Sequence, residues 1–348
     1  MKKKAFFKKM GFMLFSITFL LVIAACSGEE TTTEPEETAV EEASDATADA
    51  PVESESVKLV LNWFPKAQHG GVYAAQEDGV FEKNGLDVTV EPGGPTVSSV
   101  QIVASGQAQF GLAHADQLVI ARNQGIELVA VATALQGSPQ ALMFHEGVEI
   151  NDFEDLNGRD IFIQPGITYW DFLKSKYDLS DVSELAYTGQ HVNFIDEKES
   201  VTQAFVTSEP FFLEKDGIKT QTLLISESGY DPYNVVLFVT KDYLEKNKET
   251  VQKAVTSFVE GWNLYKETPD SVNESIHVAN PNIALDEIKF EQETQSEFVY
   301  GGDAKENGVG YMTEDRWSTL ISQLLELELL EEEFEATDIF TTEFLLGN

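Results

Sequence analysis

Asn62-Trp63-Phe64-Pro65 sets an amide beside two aromatic rings at the end of an apolar run, a grouping suited to gripping a flat heterocycle. A ring of Trp63 or Phe64 stacked on such a ligand contributes about 0.5–1.5 kcal/mol beyond the apolar area it buries. Asn62 adds a donor and an acceptor for the ligand's edge; core packing in a structural turn is the competing role for the rings. In Pro92-Gly93-Gly94-Pro95-Thr96, the missing Cβ of Gly94 lets backbone N–H groups approach a ligand, and the helix that follows favours an acceptor or negative group at its start. A plain tight turn would use the same residues. His114-Ala115-Asp116-Gln117 leaves two roles open to Asp116, capping its own helix or accepting hydrogen bonds from a ligand amino group. Gln164-Pro165-Gly166-Ile167-Thr168-Tyr169-Trp170 repeats the order of strand, glycine turn and helix, with Tyr169 and Trp170 at the helix start. Glu209 in Ser208-Glu209-Pro210 and Tyr233 in Asp231-Pro232-Tyr233-Asn234 complete the set. Tyr233 is placed to close over a bound ring, and packing or capping is the alternative for each of these residues.

Catalytic and metal chemistry find no comparable grouping. Neither G-x-S-x-G, H-E-x-x-H, a P-loop nor a zinc-type cysteine spacing occurs, and the five histidines are scattered at positions 69, 114, 145, 191 and 277. No catalytic residue, metal site or cofactor is expected.

The elements that must hold these corners alternate in type. Strands are expected over 58–64, 86–91, 110–113 and 128–135, with helices over 71–84, 97–106 and 116–124 between them. A second alternating unit follows: strands over 141–144 and 160–164, helices over 169–176 and 200–207, and a strand over 235–240. Long helices are expected over 242–266, 286–298 and 314–330, the last capped by Thr313 with Glu314 and Asp315 in its first turn. This pattern is α/β, with mostly parallel sheet covered on both faces. From Val57 onward the chain exceeds the size that one core usually serves, so two lobes are expected. Ligands in open α/β sheets sit beyond the carboxyl ends of the strands, where the corners above fall.

The chain start is organised for export. Lys2, Lys3, Lys4, Lys8 and Lys9 precede an apolar run from Met10 to Ile23, which stops at Ala24-Ala25-Cys26. The run is shorter than the roughly 20 residues a spanning helix needs, so residues 1–25 read as a secretion signal. Ile23-Ala24-Ala25-Cys26 matches the pattern at which bacterial lipoprotein signals are cut and the cysteine acylated, and Cys26 is the only cysteine in 348 residues. Lipidation of Cys26 would tie the product to the extracytoplasmic face of the cell membrane.

Removing the signal leaves 18 basic against 60 acidic residues, which makes nucleic acid an improbable partner. Residues 26–56 carry eleven acids, no base and little that could form a core, the composition of a disordered, self-repelling tether. The strongly acidic remainder suits a saline or alkaline exterior, where salt screens its self-repulsion.

The run Leu61-Asn62-Trp63-Phe64-Pro65-Lys66-Ala67-Gln68-His69-Gly70-Gly71-Val72-Tyr73-Ala74-Ala75-Gln76 closely resembles the opening of the thiamine-pyrimidine precursor family of ABC-importer solute-binding proteins. Gly79-Val80-Phe81-Glu82-Lys83-Asn84-Gly85-Leu86-Asp87-Val88, Val103 to Gly111, Ala115-Asp116-Gln117 and Ser208-Glu209-Pro210 extend the resemblance over nearly all of residues 57–345. It implies a type II periplasmic-binding-protein fold: two α/β lobes joined by two crossing strands, placed here near 141–145 and 235–240. Lobe one is then 57–143 plus 241–348, and lobe two 144–240. It implies Glu209 as a ligand contact, a small-molecule solute, an ABC permease with its ATPase as partners, and a monomer; His69 is a further ligand-binding candidate, with a structural or solvent-facing role as the default for each histidine. Relatives of this kind bind pyrimidines, riboflavin, sulfonates or nitrate. The corners hold carboxylates and no arginine, which favours a pyrimidine-like heterocycle over an anion; Lys66, if it points inward, weakens that preference. Pyrimidine synthases share the fold and supply an enzymatic alternative, but they carry a cysteine-rich motif absent here.

Overall fold

The computed structural model describes residues 54–345; the expected signal, Cys26 and nearly all of the expected tether lie outside them. Among the described residues, no helix is long and apolar enough to cross a membrane.

Among the described residues, ten strands form two five-stranded sheets. The first contains β1 (Glu55–Val60), β2 (Leu86–Glu91), β3 (Phe110–Ala113), β4 (Leu128–Leu135) and, far along the chain, β10 (Asn234–Thr240). Their order is β2-β1-β3-β10-β4, with β1 parallel to β2 and β3, and β10 antiparallel to β3 and β4. The second sheet holds β5 (Gln140–His145), β6 (Asp160–Ile163), β7 (Ser183–Ala186), β8 (Val201–Phe205) and β9 (Thr220–Leu224) in the order β7-β6-β8-β5-β9. Here β6 runs parallel to β7 and β8, and β5 antiparallel to β8 and β9. β4 shows why the sequence chooses this form: all of Leu-Val-Ala-Val-Ala-Thr-Ala-Leu is buried, as a strand covered on both faces must be.

The two α/β lobes agree with expectation, while their borders differ. β5 lies wholly in the second sheet and β10 wholly in the first, so neither is a crossing strand. The chain crosses instead in the short segments 136–139 and 229–233, giving lobe one 54–135 plus 234–345 and lobe two 140–228. Lobe two's segment 200–207, expected as a helix, is strand β8: Val201-Thr-Gln-Ala-Phe205 finds ladder partners on both sides, β5 and β6, and that pairing overrides local preference. The expected tether ends early, because Glu55 and Ser56 already pair with Leu86 and Asp87 in β1.

The late helices pack back onto lobe one, as expected. Lys248–Glu267 crosses Gly70–Glu77 so closely that a Cβ on Gly261 would stand 2.0 Å from the Gly71 carbonyl oxygen, and one on Gly71 would stand 2.4 Å from the Trp262 ring. Only glycine permits that approach. Glu314–Glu326 brings Arg316 to the two crossings: its guanidinium donates to the Gln136 carbonyl and to Asp231 O (2.7 Å) and Oδ2 (3.2 Å), and it lies 4.1 Å over the Tyr233 ring. Asp231 Oδ1 in turn accepts from Ser138 N at 2.8 Å, so one arginine staples both connections.

Candidate functional site

The cleft opens between the lobes at the carboxyl ends of β1, β3 and β6, where strand-to-helix corners face one another. It has two confluent chambers that share Asn62, Trp63, His114, Gln140, Gln164 and Ile167. The first encloses 530 Å³ of empty space, counted with its open mouth, and the second 970 Å³.

Trp63 from lobe one and Tyr169 from lobe two wall the first chamber. Trp63 also packs against the lobe-two cluster of Met143, Phe162, Tyr187, Phe194, Ala204 and Leu213, so its ring spans the gap between lobes. Five amides, Asn62, Gln68, Gln140, Gln164 and Gln203, line the space. Three have their carbonyl oxygens fixed: Asn62 Oδ1 by His69 Nε2 at 2.9 Å, Gln140 Oε1 by Ser138 Oγ at 3.2 Å, and Gln203 Oε1 by Gln164 N at 2.5 Å. Their NH₂ groups have no partner among the described residues, and they stand as oriented donors.

Lys66 and Glu209 are the charged residues of the first chamber, and they are engaged with each other across the lobes. Lys66 Nζ lies 3.0 Å from Glu209 Oε1, 2.7 Å from Ser208 Oγ and 3.3 Å from Glu291 Oε1. Glu209 Oε2 accepts from Phe205 N at 2.7 Å, and Ser208 Oγ also donates to Glu291. Burial alone would pull the Lys66 ammonium down, but the charges of Glu209 and Glu291 overcome it and hold the lysine well above its ordinary value. Burial pushes the Glu209 carboxyl up, and Lys66, His191 and the Phe205 N–H together bring it below its ordinary value. For Glu291 burial wins, and the group is held above the usual carboxylate range. The cluster is therefore a Lys66–Glu209 ion pair with Glu291 as a second buried carboxyl beside it.

His69 sits behind this wall, fully buried. Lys66 N donates to its Nδ1 at 3.4 Å, which leaves Nε2–H to donate to Asn62 and aim that amide. Burial, helped by the Lys66 charge, pushes the imidazole down to about 3. The folded state thus holds His69 neutral, whereas an unfolded imidazole binds a proton below about 6.5. Its stabilisation is complete above that pH and falls by about 1.4 kcal/mol per unit as pH drops toward the folded value. Between pH 7 and 5 the native chain is expected to lose about 2 kcal/mol from this source. Urea unfolding at both pH values checks it: His69→Gln should show the smaller acid loss, and equal losses would assign the effect to other groups.

The profile of the family described as "NMT1/THI5 like" matches residues 66–272, more than half of the chain. The chain belongs to the NMT1/THI5-like family. Within reach of that family, it is 23% identical over 304 residues to the formylaminopyrimidine-binding protein of Halalkalibacterium halodurans, covering 83% of this chain and 90% of that one. It is 22% identical over 358 residues to the riboflavin-binding protein RibY of Chloroflexus aurantiacus, covering 97% and 99%. The structure superposes on the periplasmic aliphatic sulphonate binding protein SsuA of Escherichia coli with a TM-score of 0.64 at 12% identity, over 82% of this chain and 91% of that one. The fold is that of the periplasmic binding proteins.

On this family scaffold the expected site residues divide. Asn62, Trp63, Tyr169 and Glu209 line the first chamber, and Asn62, Trp63, Gly94 and Asp116 line the second. Each oxygen of Glu209 already accepts one protein donor, Lys66 Nζ on Oε1 and Phe205 N on Oε2. Phe64 is 40% exposed at the rim; a Cβ on Gly94 or Gly189 would lie 3.1 or 3.6 Å from its ring, so the ring fills the mouth between a lobe-one and a lobe-two turn. Trp170 is buried in the core, because the helix Thr168–Lys176 turns Tyr169 to the cleft and the adjacent side chain away from it. Tyr233 belongs to the crossing, where its OH accepts from Thr313 N at 2.9 Å. His69 acts behind Asn62 and does not line the cleft.

Sequence reasoning missed Gln68, Gln140, Gln164, Tyr187 and Gln203 as wall residues. Gln164 carried a signal, a polar residue closing the apolar run Ile161-Phe-Ile163 at a strand's carboxyl end. Gln203 carried none once its segment was read as a helix.

Proposed function

We propose that this chain is the extracytoplasmic solute-binding subunit of an ABC importer. It captures a small nitrogen heterocycle between two lobes and hands it to a membrane permease and its ATPase, as a monomer held to the membrane through Cys26. The observation that carries the reading is the first chamber: aromatic walls from opposite lobes, with amide donors aimed at the rim of whatever flat group lies between them. A ligand touching both lobes favours the closed form, and about a 10⁴-fold preference moves the equilibrium from 1:99 to 99:1. The relatives named for a pyrimidine and for riboflavin, both nitrogen heterocycles, support the same class.

An anion such as a sulfonate or nitrate is the weaker ligand, since Lys66, the cation of the first chamber, is already matched by Glu209. Binding without turnover is favoured because His69 is neutral and out of contact with the cleft, and Glu209 is engaged in an ion pair with Lys66. A thermal-shift panel of pyrimidines, thiamine, riboflavin, taurine and nitrate tests the reading. A selective rise with a heterocycle is expected. Stabilisation by the anions alone would overturn it.

A further inference from the structure

Arg316 lines neither chamber, yet a chain of hydrogen bonds runs from it to a wall of both. Its Nη2 meets the Asp231 carboxylate at Oδ2, 3.2 Å away, and the other oxygen, Oδ1, accepts from Ser138 N at 2.8 Å. Ser138 is 1% exposed, and its Oγ accepts from Asn234 Nδ2 and from Gln140 N, both at 3.4 Å. The hydroxyl proton is then left for Gln140 Oε1, 3.2 Å away. A carboxamide whose oxygen is tied down has its NH₂ group to offer elsewhere, and Gln140 stands in the wall that the two chambers share.

Stability does not account for this arrangement. The Arg316 and Asp231 side chains are 27% and 40% exposed, and ion pairs so open to water add little to folding. Without the guanidinium the Asp231 carboxylate is free to turn to solvent. Ser138 then loses the acceptor that fixes its backbone, and the hydroxyl that orients Gln140 goes with it.

We infer that Arg316 is a positioning residue for ligand capture: from outside the cleft, through Asp231 and Ser138, it aims the Gln140 donor. The role rests on the reading of the cleft as a capture site, and it adds a residue that stands outside the cleft wall. Tying the crossings together and setting a donor in the cleft thereby fall to one side chain.

Two readouts test it. In heteronuclear NMR spectra of the unliganded protein, the Gln140 side-chain NH₂ pair, identified by its loss in Gln140→Met, is expected to shift in Arg316→Met and in Ser138→Ala. An unmoved pair in Arg316→Met would overturn the relay. In calorimetric titration with riboflavin and with 4-amino-2-methylpyrimidine, Arg316→Met is expected to weaken the probe that binds by about tenfold, the worth of one oriented hydrogen bond. In the Gln140→Met background the same substitution should cost about twofold or less, because the donor it sets is already gone. A loss of equal size in both backgrounds would assign Arg316 to the hinge as a whole and overturn the positioning role. If Arg316→Met does not fold, Ser138→Ala, which cuts the last link and leaves the staple intact, is read the same way in both experiments. Should neither probe bind the native chain, the heterocycle reading falls, and the NH₂ signal alone decides the relay.

Discussion

Lys66→Met is expected to spring the lobes apart. The substitution keeps most of the side-chain volume and removes the charge, leaving the Glu209 carboxylate buried without its cation; breaking a buried pair in this way costs about 3–5 kcal/mol. Because Lys66 belongs to lobe one and Glu209 to lobe two, the protein escapes that cost by opening the cleft and wetting Glu209, with the lobes themselves intact. Small-angle scattering should show a larger radius of gyration for the variant without ligand, and ligand affinity should drop by about 100-fold or more. The double variant Lys66→Met with Glu209→Met is expected to close again, since apolar replacement of a whole buried pair is often neutral or stabilising, and Glu291 keeps the donors Ala67 N and Ser208 Oγ. An unchanged radius in the single variant would show that the pair does not hold the lobes.

The second large effect is expected at Trp63. Trp63→Ala removes a wall of the first chamber and the ring that spans to the lobe-two cluster, losses that act on the bound state together. Truncation of a central aromatic anchor commonly costs 2 kcal/mol or more, about 30-fold in dissociation constant. Trp170→Ala supplies the contrast. That ring is 3% exposed in the core, so its loss should lower the unfolding free energy by about 3–5 kcal/mol, with no direct change at the cleft wall. Calorimetry and denaturant unfolding on both variants separate the roles, and a Trp63→Ala protein that binds as well as the native chain would remove Trp63 from the site.

The contrast between the two tryptophans marks what could be read from the chain before its structure. Strand-to-helix corners announce themselves through an apolar run, a glycine or proline and a helical pattern, so Asn62, Trp63, Gly94, Asp116 and Tyr169 were visible as cleft candidates. The direction in which a helix turns neighbouring rings was not, and Trp170 went to the core. Lobe borders were misplaced because β5 and β10 are buried strands whose sheet is decided by partners about 60 to 130 residues away, β8 and β9 for one, β3 and β4 for the other. Pairing across lobes is equally nonlocal: 143 residues separate Lys66 from Glu209, and no periodicity couples them.

Away from the crossings, the helices Glu209–Lys215 and Leu285–Thr294 also meet, through stacked Phe211 and Phe290 rings 4.2 Å apart and through Lys215 with Asp286 at 2.8 Å and Glu287 at 3.1 Å. Those exposed charges fade in brine, where the Debye length shrinks to about 3 Å at 1 M, whereas sequestered partners and ring stacking feel little of it. An acidic protein bathed in strong electrolyte would then keep its grip through grease and hidden charge, and its surface lysine would contribute mainly in fresh water.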